Sequence, residues 1–168
     1  MDNSQFNVGD SFAKRFILIS IFYFIVGTLW MGPMGFLIPG PSGNAGTFYD
    51  TGRLHVVFVG FVAFLLIGGA YYLVPRIGGK QIYSKRLANI HFWMTNILFP
   101  FTVVLIVSLT VYYQNVLNSP TFSFSNMPTV ILMWELVVII IMFIGIGAQG
   151  VLAFNIYKTL LSGKGTPK

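Results

Sequence analysis

The chain has 168 residues, of which 55% are hydrophobic and 8% charged, with a net charge of +6 and a mean hydropathy of +0.78. An average soluble domain carries about 25% charged residues, so this chain has too little charge to solvate a surface and the bilayer must act as its solvent. Cysteine is absent, which excludes disulfides, iron–sulfur clusters and thiolate-ligated zinc.

Taken in chain order, residues 1–13 read as a short polar tail, followed by apolar runs at 16–38, 54–75, 90–113 and 128–157. Each exceeds the roughly 20 residues that cross a hydrocarbon core as helix. No stretch alternates with a period of two, which argues against a β-barrel. The expectation is an all-α, integral membrane four-helix bundle: a single membrane domain over 1–168 with neighbours in sequence packed antiparallel. The last run is long enough to tilt or to project beyond the membrane. Nine of the ten Lys and Arg residues flank the start of the first span, the gap between the second and third, or the end of the fourth. The positive-inside rule then puts both termini and the central loop in the cytoplasm, with a multi-pass chain in the inner membrane. Basic residues that flank spans in this way contact lipid and give no sign of a nucleic-acid module. No cleavable signal peptide is expected, because a polar tail precedes a span too long for a signal h-region. Met1 should stay, and the first span should serve as a signal anchor.

The segment 39–52, with its Pro-Gly-Pro-Ser-Gly-Asn-Ala-Gly core, reads as an irregular external loop. The second external loop, 114–127, carries Phe122 and Phe124, which with Tyr112 and Tyr113 suit an interfacial aromatic belt. Among the glycines within spans, Gly68, Gly69, Gly145, Gly147 and Gly150 suit close helix packing. Gly60 and Gly69 would alternatively leave room for a flat ligand.

Ionisable groups inside the spans are few. His55 follows Arg53 by two residues near the external start of the second span. One reading makes it an interfacial histidine bonded to carbonyl or water; the other makes it an axial heme ligand, with Arg53 pairing a propionate. His91 opens the third span beside Lys85 and Arg86, which suits a histidine snorkelling to the cytoplasmic interface. Antiparallel spans keep the two histidines most of a membrane apart, so they cannot share one iron. Glu135, the one acidic residue within a span, must be protonated or paired, and Arg53 is a candidate partner. A proton relay, a quinol contact or a metal ligand are the functional alternatives. Gln149, deeper in the same span, suits an interhelical hydrogen bond. Met31, Met34, Met127 and Met133 stand near the depth of His55 and offer a thioether as sixth ligand, although such methionines usually only pack. No nucleophile motif, phosphate loop or multi-histidine metal set is present.

The segments Arg53-Leu54-His55, Gly69-Ala70-Tyr71-Tyr72-Leu73-Val74-Pro75-Arg76 and Leu87-Ala88-Asn89-Ile90-His91-Phe92-Trp93 resemble the catalytic subunit of the heme–copper oxidase and nitric oxide reductase superfamily. In that family a second helix opens with the histidine of a low-spin heme and closes on an aromatic-Leu-Val-Pro element. A third helix begins with Asn and Phe-Trp. The resemblance covers residues 15–113. A second register, on a later helix pair of the family, matches the His-Phe-Trp element, and Phe154-Asn155-Ile156-Tyr157-Lys158 is similar to the family's last helix. Either register implies that His55 ligates a low-spin heme b. The departures are equally plain. The copper-ligating histidines and a second low-spin ligand are missing, in the later register Arg53 replaces a heme ligand, and family enzymes have many more helices. The resemblance therefore implies no copper and no reduction of oxygen or nitric oxide by this chain alone.

The reading that follows is a b-type cytochrome-like subunit of a respiratory or other redox complex, carrying one heme for electron transfer. His55 would be an axial ligand, Arg53 would steady a propionate, and Met31, Met34, Glu135 or another chain would complete the iron. Other membrane subunits, a second copy, lipid and quinone are the expected partners. The alternative is a heme-free structural subunit that keeps an oxidase-like scaffold.

Overall fold

The computed structural model describes residues 7–31, 52–117 and 127–162. The described residues form 4 helices long and apolar enough to cross a membrane, with no strand among them. They are α1 (Asn7–Met31), α2 (Gly52–Ile77), α3 (Lys85–Leu117) and α4 (Met127–Ser162). The chain is thus the all-helical membrane protein that its composition implies. Most of the two long connecting segments lies outside the described residues, as do Phe122 and Phe124.

The first helix begins at Asn7, well ahead of the apolar run at 16, because its lead-in already has an inward face. Phe12, Ala13, Phe16 and Ser20 are all buried, and their spacing puts them on one side of a helix. Asp10 lies in the first turn, where a carboxylate complements the helix dipole, and it pairs with Arg76 at 3.2 Å. Arg76 in turn covers the Tyr72 ring at 3.6 Å.

The turn between α2 and α3 is tightly specified. Lys80 N donates to Pro75 O at 2.9 Å and Gly79 N to Arg76 O at 3.2 Å, with Gly79 at a φ of 57°. This is a Schellman stop, and the left-handed residue it requires is glycine. Ser84 then caps α3: its Oγ accepts from Leu87 N at 3.2 Å. The end of α4 holds this turn in place. Asn155 behaves like a strip of backbone, accepting from Ser84 N at 3.0 Å and donating to Ser84 O at 3.0 Å. Thr159 Oγ1 accepts from Tyr83 N at 3.0 Å. Lys80 Nζ donates to the carbonyls of Leu160 and Leu161, groups near the end of α4 where intrahelical partners run out.

Two antiparallel hairpins result. α1 lies along both halves of α2, α3 lies along α4, and the hairpins meet through α1–α3 and α2–α4 contacts. Among the described residues α1 and α4 do not touch. The core centres on Phe16, which is fully buried. It stacks on Tyr71 at 5.7 Å and meets Phe64 and Phe92 edge-on at 5.9 and 5.1 Å. Small residues let α1 approach α2. A Cβ on Gly68 would stand 3.2 Å from Ala13 O, and one on Gly60 would stand 2.8 Å from Tyr23 Cβ. Gly69, Gly145, Gly147 and Gly150 face open space instead, so close packing among the described residues accounts for Gly60 and Gly68 and not for those four. The outer faces are apolar, with Leu66, Ile77 and Phe143 each more than two-thirds exposed, as expected where the surroundings are lipid.

Candidate functional site

The second helix is not α-helical throughout. His55–Ala63 forms a π-helix, which gives way to an α-helix over Phe64–Ile77. Its sequence supplies a reason. The residues turned inward, Val56, Gly60, Phe64 and Gly68, recur every fourth position, and an α-helix drifts about 40° with each such step. The wider i→i+5 turn counteracts that drift. A second stripe with the same spacing, His55, Val59, Ala63 and Ile67, is thereby aligned along one wall of a cavity.

That cavity has a volume of about 670 Å³ and lies between α2, α3 and α4. α3 contributes Thr95, Leu98, Phe99, Thr102, Leu105 and Ile106; α4 contributes Val138, Ile141, Met142, Gly145, Ala148 and Gln149. Both sets follow helical spacing. The cavity persists because Ala63, Gly145 and Ala148 have little or no side chain to fill it; a Cβ on Gly145 would meet nothing within 4 Å. The span from Thr95 to Ile106 makes it roughly 17 Å long. His55 stands at one end, while Thr95 and Gln149 stand at the other.

The sequence-predicted residues divide accordingly. His55 is half-buried and lines the cavity; Arg53, also half-buried, is in the first turn of the same helix. Met34 and the side chains of Met31, Met127, Met133 and Glu135 lie outside the described residues, and with them any Arg53–Glu135 pair. Among the described residues no group of three His, Cys, Asp or Glu could hold a metal ion. The cavity volume is within the roughly 300–1,000 Å³ of small-molecule and cofactor sites.

His91 corrects the sequence reading. It does not snorkel to an interface: its ring is 0% exposed. It lies 5.3 Å from the Phe16 ring and shares a 3.2 Å hydrogen bond between Nδ1 and the Tyr71 hydroxyl. The charged neighbours Lys85 and Arg86 point outward while His91 and Phe92 point in. The separation of the two histidines does hold. His91 touches the Tyr71 end of α2, on the order of 20 Å along the axis from His55. Sequence reasoning missed Tyr71 and Thr95 as its companions. The signal was present in the i, i+4 pair His91 and Thr95, which places both on one face of α3.

The family model for cytochrome c and quinol oxidase polypeptide I matches residues 11–144. Similar proteins include the cbb3-type cytochrome c oxidase subunit CcoN1 of Stutzerimonas stutzeri, 33% identical over 84 residues, which are 49% of this chain and 18% of that one. Cytochrome c oxidase polypeptide 1 of Halobacterium salinarum is 40% identical over 47 residues, 28% of this chain and 8% of that one. Heme-copper oxidase subunit I+III of Aeropyrum pernix is 44% identical over 50 residues, 30% of this chain and 6% of that one. The chain spans less than a fifth of the length of these relatives. No solved structure matches it. A match over residues 11–144, on a fold of membrane-spanning helices, shows that the chain belongs to the cytochrome c and quinol oxidase polypeptide I family.

Proposed function

We propose that this chain is a heme-carrying, electron-transferring subunit of a larger membrane redox assembly. The observation that carries the reading is His55, an imidazole on the wall of a largely apolar cavity of about 670 Å³. His55 would bind iron through a neutral ring nitrogen. Arg53, two residues nearer the helix start, would neutralise a propionate where the cavity meets the membrane surface. The apolar walls from Val59 to Met142 would exclude water and hold the macrocycle by contact alone. When bound, a low-spin heme b supplies a one-electron couple. The sixth ligand would come from Met31, Met34, Glu135 or a partner subunit. This role needs no copper, and oxygen or nitric oxide reduction falls to other chains. The termini and the α2–α3 turn would face the cytoplasm, as the basic residues there require.

A reduced-minus-oxidised spectrum of the purified chain tests the proposal. A b-type α band is expected, and His55→Ala should abolish it without loss of helicity. A band that survives His55→Ala would reassign the ligand. A complex assembled without heme would leave the chain a scaffold subunit, and the electron-transfer reading would fall.

A further inference from the structure

The basic residues at the end where α2 turns into α3 are not equivalent. Arg76 is paired with Asp10 at 3.2 Å, Lys80 caps the carbonyls of Leu160 and Leu161, and Lys158 lies 5.9 Å from the Phe154 ring on its own helix. Arg15 is held differently. Its guanidinium carbon lies 5.4 Å from the centre of the Phe12 ring on α1 and 5.8 Å from that of Phe92 on α3. Rings from two helices thus pin one cation over the seam between them. Cation–π attraction engages the face of a guanidinium and leaves the N–H fork along its edge for an acceptor. The Arg15 side chain is exposed, and Asp10, the acidic residue described at this end, is already held by Arg76. The rest of the seam changes character with depth. Asn89 and Lys85 precede Phe92 by three and seven residues, close to one turn and two, and both are exposed on the rim of the seam. Trp93 is exposed and packs edge-on against Phe92 at 5.6 Å, an amphipathic ring of the kind that favours the headgroup level. Deeper still, the exposed side chains are the apolar Phe22 and Ile97.

We propose that the α1–α3 seam at this end binds the phosphodiester of an anionic phospholipid. Arg15 would clasp two phosphate oxygens with its fork, which matches a phosphate bidentately. Lys85 would add charge, Asn89 would donate to a glycerol-ester oxygen, and the acyl chains would run past Trp93 along Phe22 and Ile97. The order of the side chains, cation and amide, then indole, then hydrocarbon, is the order of the groups in a phospholipid, which favours a lipid over an acidic partner protein. An anionic lipid is required because the seam brings Arg15 and Lys85 together with no described carboxylate to balance them. A zwitterionic headgroup would set its own ammonium against those cations. None of these residues lines the cavity at His55, so the site does not depend on what that cavity holds.

Quenching of Trp93 by brominated lipid tests the site. The full chain carrying Trp30→Phe and Trp134→Phe retains Trp93 as its one indole, and is reconstituted in phosphatidylcholine vesicles. Phosphatidylglycerol brominated near the glycerol end of its acyl chains is expected to quench saturably, with about a tenfold preference over equally brominated phosphatidylcholine. Arg15→Gln should bring that preference close to parity, as loss of a charge-assisted hydrogen-bonded contact does, and Arg15→Lys should restore only part of it. Because Arg15 also packs on two rings, Asn89→Asp supplies a second variant. It puts a carboxylate on the rim, at an exposed position near a helix start where negative charge is tolerated, and should abolish the preference with helicity unchanged. Lys14→Gln removes the same charge from the adjacent, exposed residue and should leave the preference intact. Equal quenching by the two lipids in the parent chain overturns the proposal. So does a loss in Lys14→Gln as large as in Arg15→Gln, since the effect would then be general surface charge. Displacement by inorganic phosphate beyond that by chloride at equal ionic strength would make the ligand a free anion and overturn the lipid assignment.

Discussion

His91 stands among basic residues at the start of α3, yet its ring is buried while Lys85 and Arg86 remain exposed. Helical rotation separates them: His91 and Phe92 share the face that meets Phe16, and the lysine and arginine are turned away. The glycines divide in the same manner. Gly60→Ala would drive a methyl to within 2.8 Å of Tyr23 Cβ, so it should destabilise the protein by about 1–3 kcal/mol, the usual cost of overpacking. Gly69→Ala meets nothing within 4 Å and should be neutral or stabilising by up to about 1 kcal/mol through helix propensity. Unfolding titrations from mild detergent into dodecyl sulfate separate the two outcomes. Phe16→Ala removes the ring on which Tyr71, Phe64 and Phe92 converge. It should cost about 3–5 kcal/mol in the same assay. Asp10→Asn loses a partly exposed ion pair and a charge in the first turn of α1 and should cost about 1 kcal/mol.

α2 shows how a helix type can be chosen by its neighbours. The four-residue recurrence of Val56, Gly60, Phe64 and Gly68 satisfies α1, and the π turn that permits it also lines His55 up with Val59, Ala63 and Ile67 on the cavity wall. Deleting Val62, an exposed residue of the π segment, should return the segment to α-helix and move His55 out of line with Val59, Ala63 and Ile67. The expected result is unchanged helicity by circular dichroism with loss of any spectral band that depends on His55. Helicity that collapses with the band would show instead that the π turn is needed for the hairpin itself. At the other end of the element, Asn155→Leu removes both hydrogen bonds to Ser84. A loss of about 1–3 kcal/mol is expected, with faster hydrogen exchange at the Tyr83 and Ser84 amides.

The whole molecule is two hairpins joined at the aromatic cluster, with a ring of basic residues at the end where α2 turns into α3. Under the positive-inside rule that asymmetry predicts a cytoplasmic position for this end. The native chain has no cysteine, so single-cysteine labelling reports on topology without background. Tyr83→Cys, in the α2–α3 turn, should be shielded from a membrane-impermeant maleimide applied to intact cells and labelled after permeabilisation. Tyr112→Cys, near the far end of α3, should label from outside. The reverse pattern would invert the orientation and put His55 on the cytoplasmic side. The open faces of Gly145, Gly147 and Gly150 on α4 belong to this scale too, since nothing among the described residues of the chain packs against them.

Membrane class and helix number were legible in the residues, because apolar length and scarcity of charge are properties that a bilayer reads one residue at a time. His55 was also legible as the residue to explain, since an imidazole near the start of an apolar span is costly without a role. Its π-helical setting was not, because that depends on which neighbour each fourth residue meets. His91 was misread for a related reason: flanking charge is local in sequence, while burial is decided by the rotation of α3 against Phe16 and Tyr71. The sequence by itself determined a four-span membrane helix protein with one histidine near the start of its second span. Only the tertiary structure decided that this histidine faces a cavity of about 670 Å³, and that Thr95 and Gln149 stand at its far end. A cavity is bounded by side chains from three helices, and no single stretch of sequence contains it.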